Sequence, residues 1–185
     1  MKVLVVVDMQ NDFITGPLGT KEAQAIVPRV KEKIRQAVAN GNVIIYTRDT
    51  HVDYYLNTKE GKKLPVKHCI CATPGWRIPD ELYPPADYGE IEVVNKYTFG
   101  SVDLPKVIRP YITGPNFRAG NEIELVGLCT DICVVSNALL LKAHFYDLVE
   151  ISVDATCCAG VTPETHEAAL KTMEMCQINV KRDPQ

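Results

Sequence analysis

The chain opens on Lys2-Val3-Leu4-Val5-Val6-Val7, a nearly unbroken β-branched run of the kind that forms a strand buried on both faces. The period then changes. Across residues 20–39 apolar side chains recur at Ala23, Ile26, Val27, Val30, Ile34, Ala37 and Val38, which predicts an amphipathic helix stopped by Asn40-Gly41. Asn42 to Thr47 reads as a second buried strand. From Arg48 to Asp87 periodicity is lost in a polar stretch with many Pro, Lys and Tyr residues, far beyond an ordinary connection; insertions of that size are usually functional or disordered.

Regular pattern resumes at Ile91-Glu92-Val93-Val94, a short third strand, followed by a helix around 103–113 interrupted by Pro110. Glu122 to Leu128 is a fourth strand, 132–146 a strongly apolar helix, Leu148 to Val153 a fifth strand, 163–175 a helix and Gln177 to Val180 a terminal strand. Strands alternating with helices predict one α/β domain over residues 1–185. Its expected architecture is a doubly wound, Rossmann-like, mostly parallel sheet of about six strands, with helices on both faces and an insertion at 48–87. Such sheets bind ligands outside the carboxyl ends of their strands. Those ends carry Asp8, Asp49, Lys96 and the segment Cys129 to Cys133, so the polar residues gather where the fold calls for a site.

Composition narrows the classes. Apolar residues make up 46% of the chain, enough for a continuous core without disulfide staples. A net charge of −3 offers no broad basic field for nucleic acid or an anionic membrane, and the apolar runs are strand length, short of a membrane span. Residues 1–8 end in Asp8-Met9-Gln10 without a small-residue cleavage site, which argues against a signal peptide. Seven cysteines, an odd number with no framework spacing, point to a reduced, cytoplasmic protein; neither Cys69-Ile70-Cys71 nor Cys157-Cys158 has thiolate zinc spacing.

Cys133 opens the apolar helix a few residues after strand four, where the helix dipole and unpaired N–H groups favour a thiolate and can hold a developing oxyanion. A cysteine in that position is more often packing. What shifts the reading is that Asp8 and Lys96 are expected to end neighbouring strands: a carboxylate can accept the thiol proton, and an ammonium favours the thiolate.

Several segments carry a resemblance. They are Val7-Asp8-Met9-Gln10-Asn11-Asp12-Phe13 with Gly16 and Leu18, Thr47-Arg48-Asp49-Thr50-His51, Lys67-His68-Cys69, Thr73-Pro74-Gly75-Trp76, Lys96, and Val126 to Val134. In this order, over almost the whole chain, they resemble the isochorismatase-like cysteine hydrolases, and among those the nicotinamidases. The resemblance implies a catalytic triad of Asp8, Lys96 and Cys133, and a cis peptide at Leu128–Cys129 beside the Cys129 and Cys133 N–H groups that would face the oxyanion. It also implies hydrolysis of a small amide, nicotinamide in that branch, through a thioester on Cys133.

The insertion separates the branches. Asp49 and His51 alternate at a strand end and can point the same way, with His68 on the far arm and Glu60 between. One carboxylate and two imidazoles suit one divalent ion, zinc first and iron or manganese after it, with positions open for substrate. The resemblance makes such an ion the anchor of the pyridine nitrogen. The chain departs from the commoner pattern in having no further His between Val52 and Thr58, and Leu64-Pro65 where an aromatic often precedes Pro. Glu60 suits the role of the additional ligand. Phe13 and Leu64 are expected to touch substrate, and Tyr97 and Phe99 to flank the pocket. His144 and His166 are read as structural, and the family suggests a homo-oligomer. Two rivals remain: another small-amide hydrolase of the same family, and a noncatalytic metal-binding protein on the same fold.

Overall fold

The structure, a computed structural model, describes residues 2–89, 91–113 and 120–183. Six parallel strands form one sheet in the order β3-β2-β1-β4-β5-β6. They are β1 (Lys2–Val7), β2 (Val43–Asp49), β3 (Glu92–Lys96), β4 (Glu122–Leu128), β5 (Glu150–Ala159) and β6 (Asn179–Lys181). Every pairing is parallel, where a mostly parallel sheet was expected. The helices are α1 (Asn11–Ile14), α2 (Lys21–Ala39), α3 (Leu104–Thr113), α4 (Val135–Phe145) and α5 (Pro163–Met175).

Alternation along β1 sorts the core into two layers. Val3, Val5 and Val7 pack with Leu104 and Ile108 of α3, Leu141 and Phe145 of α4, and Leu170 and Met173 of α5. Leu4 and Val6 pack on the other face with Ala23, Ile26, Val30, Ile34 and Ala37 of α2, the apolar stripe legible in the sequence, and with Ile78 and Leu82 of the insertion. Thr20 caps α2 by accepting from the Ala23 N–H, and Thr162 and Thr165 form a capping box on α5. The strand order reverses between β1 and β4, and the crevice at such a switch point is where doubly wound sheets bind ligands.

Several boundaries differ from those expected. β2 runs on to Asp49 and β3 to Lys96, which brings both side chains to the carboxyl end of the sheet; the strands that lead to Asp8 and Lys96 are not neighbours as expected, because β2 pairs between them. β5 continues six residues past Val153, through a polar stretch that hides its strand character; the register shifts between Leu125 and Gly127 to accommodate it. At Gly127 φ is 116° and a Cβ would lie 2.1 Å from the Val7 carbonyl oxygen, so only glycine fits this approach of β4 to β1. The apolar helix begins as a π turn, Thr130–Val134, before α4. The insertion holds two short 3-10 turns, Tyr55–Asn57 and Asp80–Leu82, and one bridge between His51 and Ile70. No helix among the described residues is long and apolar enough to cross a membrane.

Candidate active site

β1 turns at Asp8, whose backbone adopts φ 46°, a left-handed conformation that costs a non-glycine residue about 1–2 kcal/mol and is least unfavourable for Asp and Asn. The turn aims a fully buried carboxylate across the switch point. Thr47 Oγ1 donates to Asp8 Oδ1 at 2.7 Å, and Lys96 Nζ lies 2.6 Å from Asp8 Oδ2. The same ammonium lies 3.4 Å from Cys133 Sγ and 3.6 Å from Asp49 Oδ1. Asp8, Lys96 and Cys133 therefore meet in one buried cluster. Lys96 bridges the carboxylate and the thiol.

Burial dominates the electrostatics. It pushes the Asp8 pKa up; Lys96 opposes this and Asp49 reinforces it, leaving Asp8 above the ordinary carboxylate range. Burial likewise raises the Cys133 thiol well above its usual value, with Asp8 adding to the rise and Lys96 countering it. For Lys96 the desolvation is outweighed by Asp8, Cys133 and Asp49, and the ammonium is held above its normal range. The resting thiol is protonated, beside a carboxylate whose basicity is enhanced.

A second cluster adjoins the first. Ligand atoms of Asp49, His51 and His68, all buried, lie within 4.8 Å of one another. His51 Nε2 is 2.8 Å and His68 Nε2 3.5 Å from Asp49 Oδ2. Yet His51 Nε2, wholly buried, makes no hydrogen bond of proper geometry. An orphaned imidazole nitrogen facing a carboxylate and a second imidazole fits a cation better than it fits any hydrogen-bond pattern. His68 is oriented by Nδ1, 2.8 Å from the Val66 carbonyl, which leaves Nε2 turned inward. Glu60 Oε1 stands 3.5 Å from His51 Nε2 and 3.9 Å from His68 Nε2, and its side chain is 24% exposed.

A cavity of about 220 Å³ is lined by Asp49, Glu60, His68, Cys129 and Cys133, with Phe13, Leu18, Leu64, Phe99, Ile132 and Val161 among its apolar residues. That volume lies below the ~300–1,000 Å³ typical of ligand pockets, so it suits a ligand of about one ring. The Phe13 and His68 ring centroids are 5.6 Å apart. Tyr97 does not join them: it is 71% exposed and lines no part of the cavity. Lys96 must point inward at the strand end, and the next residue points away. Phe99 is the aromatic residue that reaches the cavity from this loop. The peptide Leu128–Cys129 is cis, as the resemblance implies.

Asp12 belongs to this region although its residue type alone gave no role. Its Oδ2 accepts from the Cys69 N–H at 2.7 Å, pinning the arm that carries His68. A Cβ on Gly75 would fall 2.2 Å from both carboxylate oxygens of Asp12, so a larger residue there would have to displace the carboxylate that holds the Cys69 N–H. The signal was present in the Asn11-Asp12-Phe13 and Pro74-Gly75 segments, but only contact could assign it.

The isochorismatase domain, as a family, matches residues 2–181. The chain belongs to the isochorismatase family. It is 28% identical to the nicotinamidase/pyrazinamidase of Mycobacterium tuberculosis, over 97% of this chain and 98% of that protein. A nicotinamidase of Saccharomyces cerevisiae is 23% identical over 97% and 99% of the two chains. Among solved structures, the pyrazinamidase of Pyrococcus horikoshii in complex with zinc superposes with a TM-score of 0.81 at 28% identity, covering 98% of both chains.

Proposed function

We propose that this isochorismatase-family chain is a nicotinamidase, hydrolysing nicotinamide to nicotinate and ammonia as a step of NAD salvage. The observation that carries the reading is that one small cavity is lined by the Cys133 thiol and by Asp49 and His68 of the nitrogen-and-oxygen cluster. The relatives named nicotinamidase, matched over nearly their full length, support it.

In this mechanism Asp8 takes the proton of the Cys133 thiol while Lys96 stabilises the forming thiolate. Sulfur attacks the amide carbon, and the tetrahedral oxyanion is held by the Cys129 and Cys133 N–H groups. Collapse breaks the C–N bond, and Asp8 returns its proton to departing ammonia. Asp8 then deprotonates a water that attacks the thioester; the C–S bond breaks, releasing nicotinate and restoring the thiol.

Asp49, His51 and His68, with Glu60 directly or through water, would hold one divalent ion, zinc first, in keeping with the zinc complex of the Pyrococcus horikoshii pyrazinamidase. Such an ion would supply a Lewis acid able to accept the ring nitrogen of the substrate. Phe13 and Leu64 confine the ring, which turns its carboxamide toward Cys133. The seven free cysteines accord with a reduced, cytoplasmic setting, and a homo-oligomer is part of the same proposal.

Ammonia release from nicotinamide, measured beside pyrazinamide and a panel of aliphatic amides, tests the reading. Preferential turnover of the pyridine and pyrazine carboxamides is expected. Faster turnover of an aliphatic amide would assign a different branch of the family, and no turnover of any amide would leave a binding protein.

A further inference from the structure

Gln10 lies between the corner that carries Asp8 and the segment that carries Asp12 and Phe13, and it is fully buried. β1 stops pairing with β2 where the chain turns: the last rung is the Asp8 N–H donating to the Thr47 carbonyl at 3.2 Å. The next rung on β2 belongs to Asp49, which has no β1 backbone left to meet. The Gln10 side chain takes that place. Its Oε1 accepts from the Asp49 N–H at 2.7 Å, and its Nε2 donates to the Asp49 carbonyl at 2.9 Å and to the Trp76 carbonyl at 2.9 Å. A primary amide is the group that can imitate a peptide rung on both its donor and acceptor sides. On the far edge of β2, the Thr50 N–H donates to the Lys96 carbonyl at 2.9 Å and keeps β3 in register.

We propose that Gln10 is a positioning residue for the metal cluster, fixing the backbone of Asp49 so that its carboxylate meets His51 and His68. None of its side-chain hydrogen bonds goes to a side chain of the triad. Gln10 therefore acts directly on the cation cluster and reaches Cys133 only at second hand, through the Asp49–Lys96 contact. Loss of the amide leaves the Asp49 N–H and two carbonyls buried without their partner, and the strand end relaxes toward other partners.

The inference rests on the metal reading above, so the experiment contains an arm for each. Zinc affinity is measured by competition with a chromophoric chelator for the wild type and for Gln10→Met, which preserves volume and removes all three bonds. Iodoacetamide alkylation of Cys133 is timed on the metal-stripped forms of both, and folding is followed by thermal melting. The expected result is a folded variant with zinc affinity reduced ten- to a hundredfold. Its Cys133 alkylation rate should stay within about twofold of wild type, since thiolate character governs that rate. A variant that melts lower but binds zinc as tightly as wild type would show a merely structural glutamine and overturn the inference. Should Gln10→Met not fold, Gln10→Asn, with the amide kept but its reach shortened, carries the same readouts; failure of both to fold also overturns it. A wild-type protein that binds no divalent ion would sink the metal reading, and this inference with it, whereas tight wild-type binding matched by the variant sinks this inference alone.

Discussion

Asp8 and Glu122 sit at opposite ends of the same sheet, each a carboxylate in contact with lysine, and their pKa values are displaced in opposite directions. Glu122 opens β4 at the amino end, 2.7 Å from Lys2 Nζ, and is also bonded to Lys181 and Ser152. Burial opposes its ionisation, but these partners outweigh it and hold its pKa down at about 2. Asp8 has one ammonium, complete burial and a second carboxylate nearby, and its pKa rises. The comparison shows that a lysine contact does not decide the state of a carboxylate; the balance of partners against desolvation does. Where partners win, the carboxylate is fixed in its charged form and serves the fold. Where burial wins, the carboxylate is made more basic than an ordinary one, which suits a residue that must take up and return a proton.

The largest effects are expected at the carboxyl end. Cys133→Ala should reduce turnover to less than about a hundredth of wild type while leaving the melting temperature nearly unchanged, because the site's chemistry and not its packing is removed. Lys96→Met should also abolish most activity, since it removes the ammonium that lies against both Asp8 and the Cys133 sulfur and leaves Asp8 buried without its counter-charge. Stoichiometric zinc should survive Lys96→Met, and metal analysis of the purified variant checks this. An active Cys133→Ala protein would make Asp8 a structural carboxylate like Glu122 and erase the contrast.

The two parts of the site were unequally legible in the sequence. Asp8, Lys96 and the segment leading to Cys133 could be placed at strand ends, because buried parallel strands announce themselves as β-branched runs and the residues that follow each run lie on the ligand-binding edge; their grouping as a triad came from the family resemblance. The aperiodic insertion gives no such rule. That His51 and His68 meet, and that Asp12 braces the arm between them and Trp76, is settled by contacts between segments far apart in the chain, the second of them spanning 57 residues. Tyr97 was misplaced for a local reason, the alternation beyond Lys96. The length of β5 was hidden because Asp154 and Thr156 look like loop residues, although Asp154 is satisfied by Lys33 from α2 at 2.5 Å and by Thr156.

Glu60 sharpens the comparison on the cation side of the site. Close to both imidazoles but borne on a loop, it is expected to add a carboxylate oxygen to the ligand set rather than to hold the fold. Glu60→Ala should weaken metal binding roughly ten- to a hundredfold, with activity restored by excess metal because the triad is untouched. Chelator challenge reads the affinity directly; unchanged affinity would leave Asp49, His51 and His68 as the protein's whole contribution.

Glu122→Gln should have the smallest effect, and its direction with pH is the informative part. A pKa lowered from 4.5 to about 2 means that the folded state favours the ionised form more than the unfolded chain does. The stabilisation is thus fully present above the unfolded value near 4.5 and is lost as pH falls through the folded value near 2. The fall corresponds to at most ~3 kcal/mol, and water screening at this partly exposed cluster reduces it to about 1–2 kcal/mol. Denaturant unfolding should therefore find Glu122→Gln less stable than wild type by about 1–2 kcal/mol at pH 7, with the gap closing between pH 4.5 and 2. Turnover and zinc affinity should not change, since no contact joins Glu122 to the cavity at the other end of the strands. A gap that stays constant from pH 7 to 3 would mean that the side chain contributes by shape and neutral hydrogen bonding, and that the amino-end carboxylate is not held in its charged form by its lysines after all.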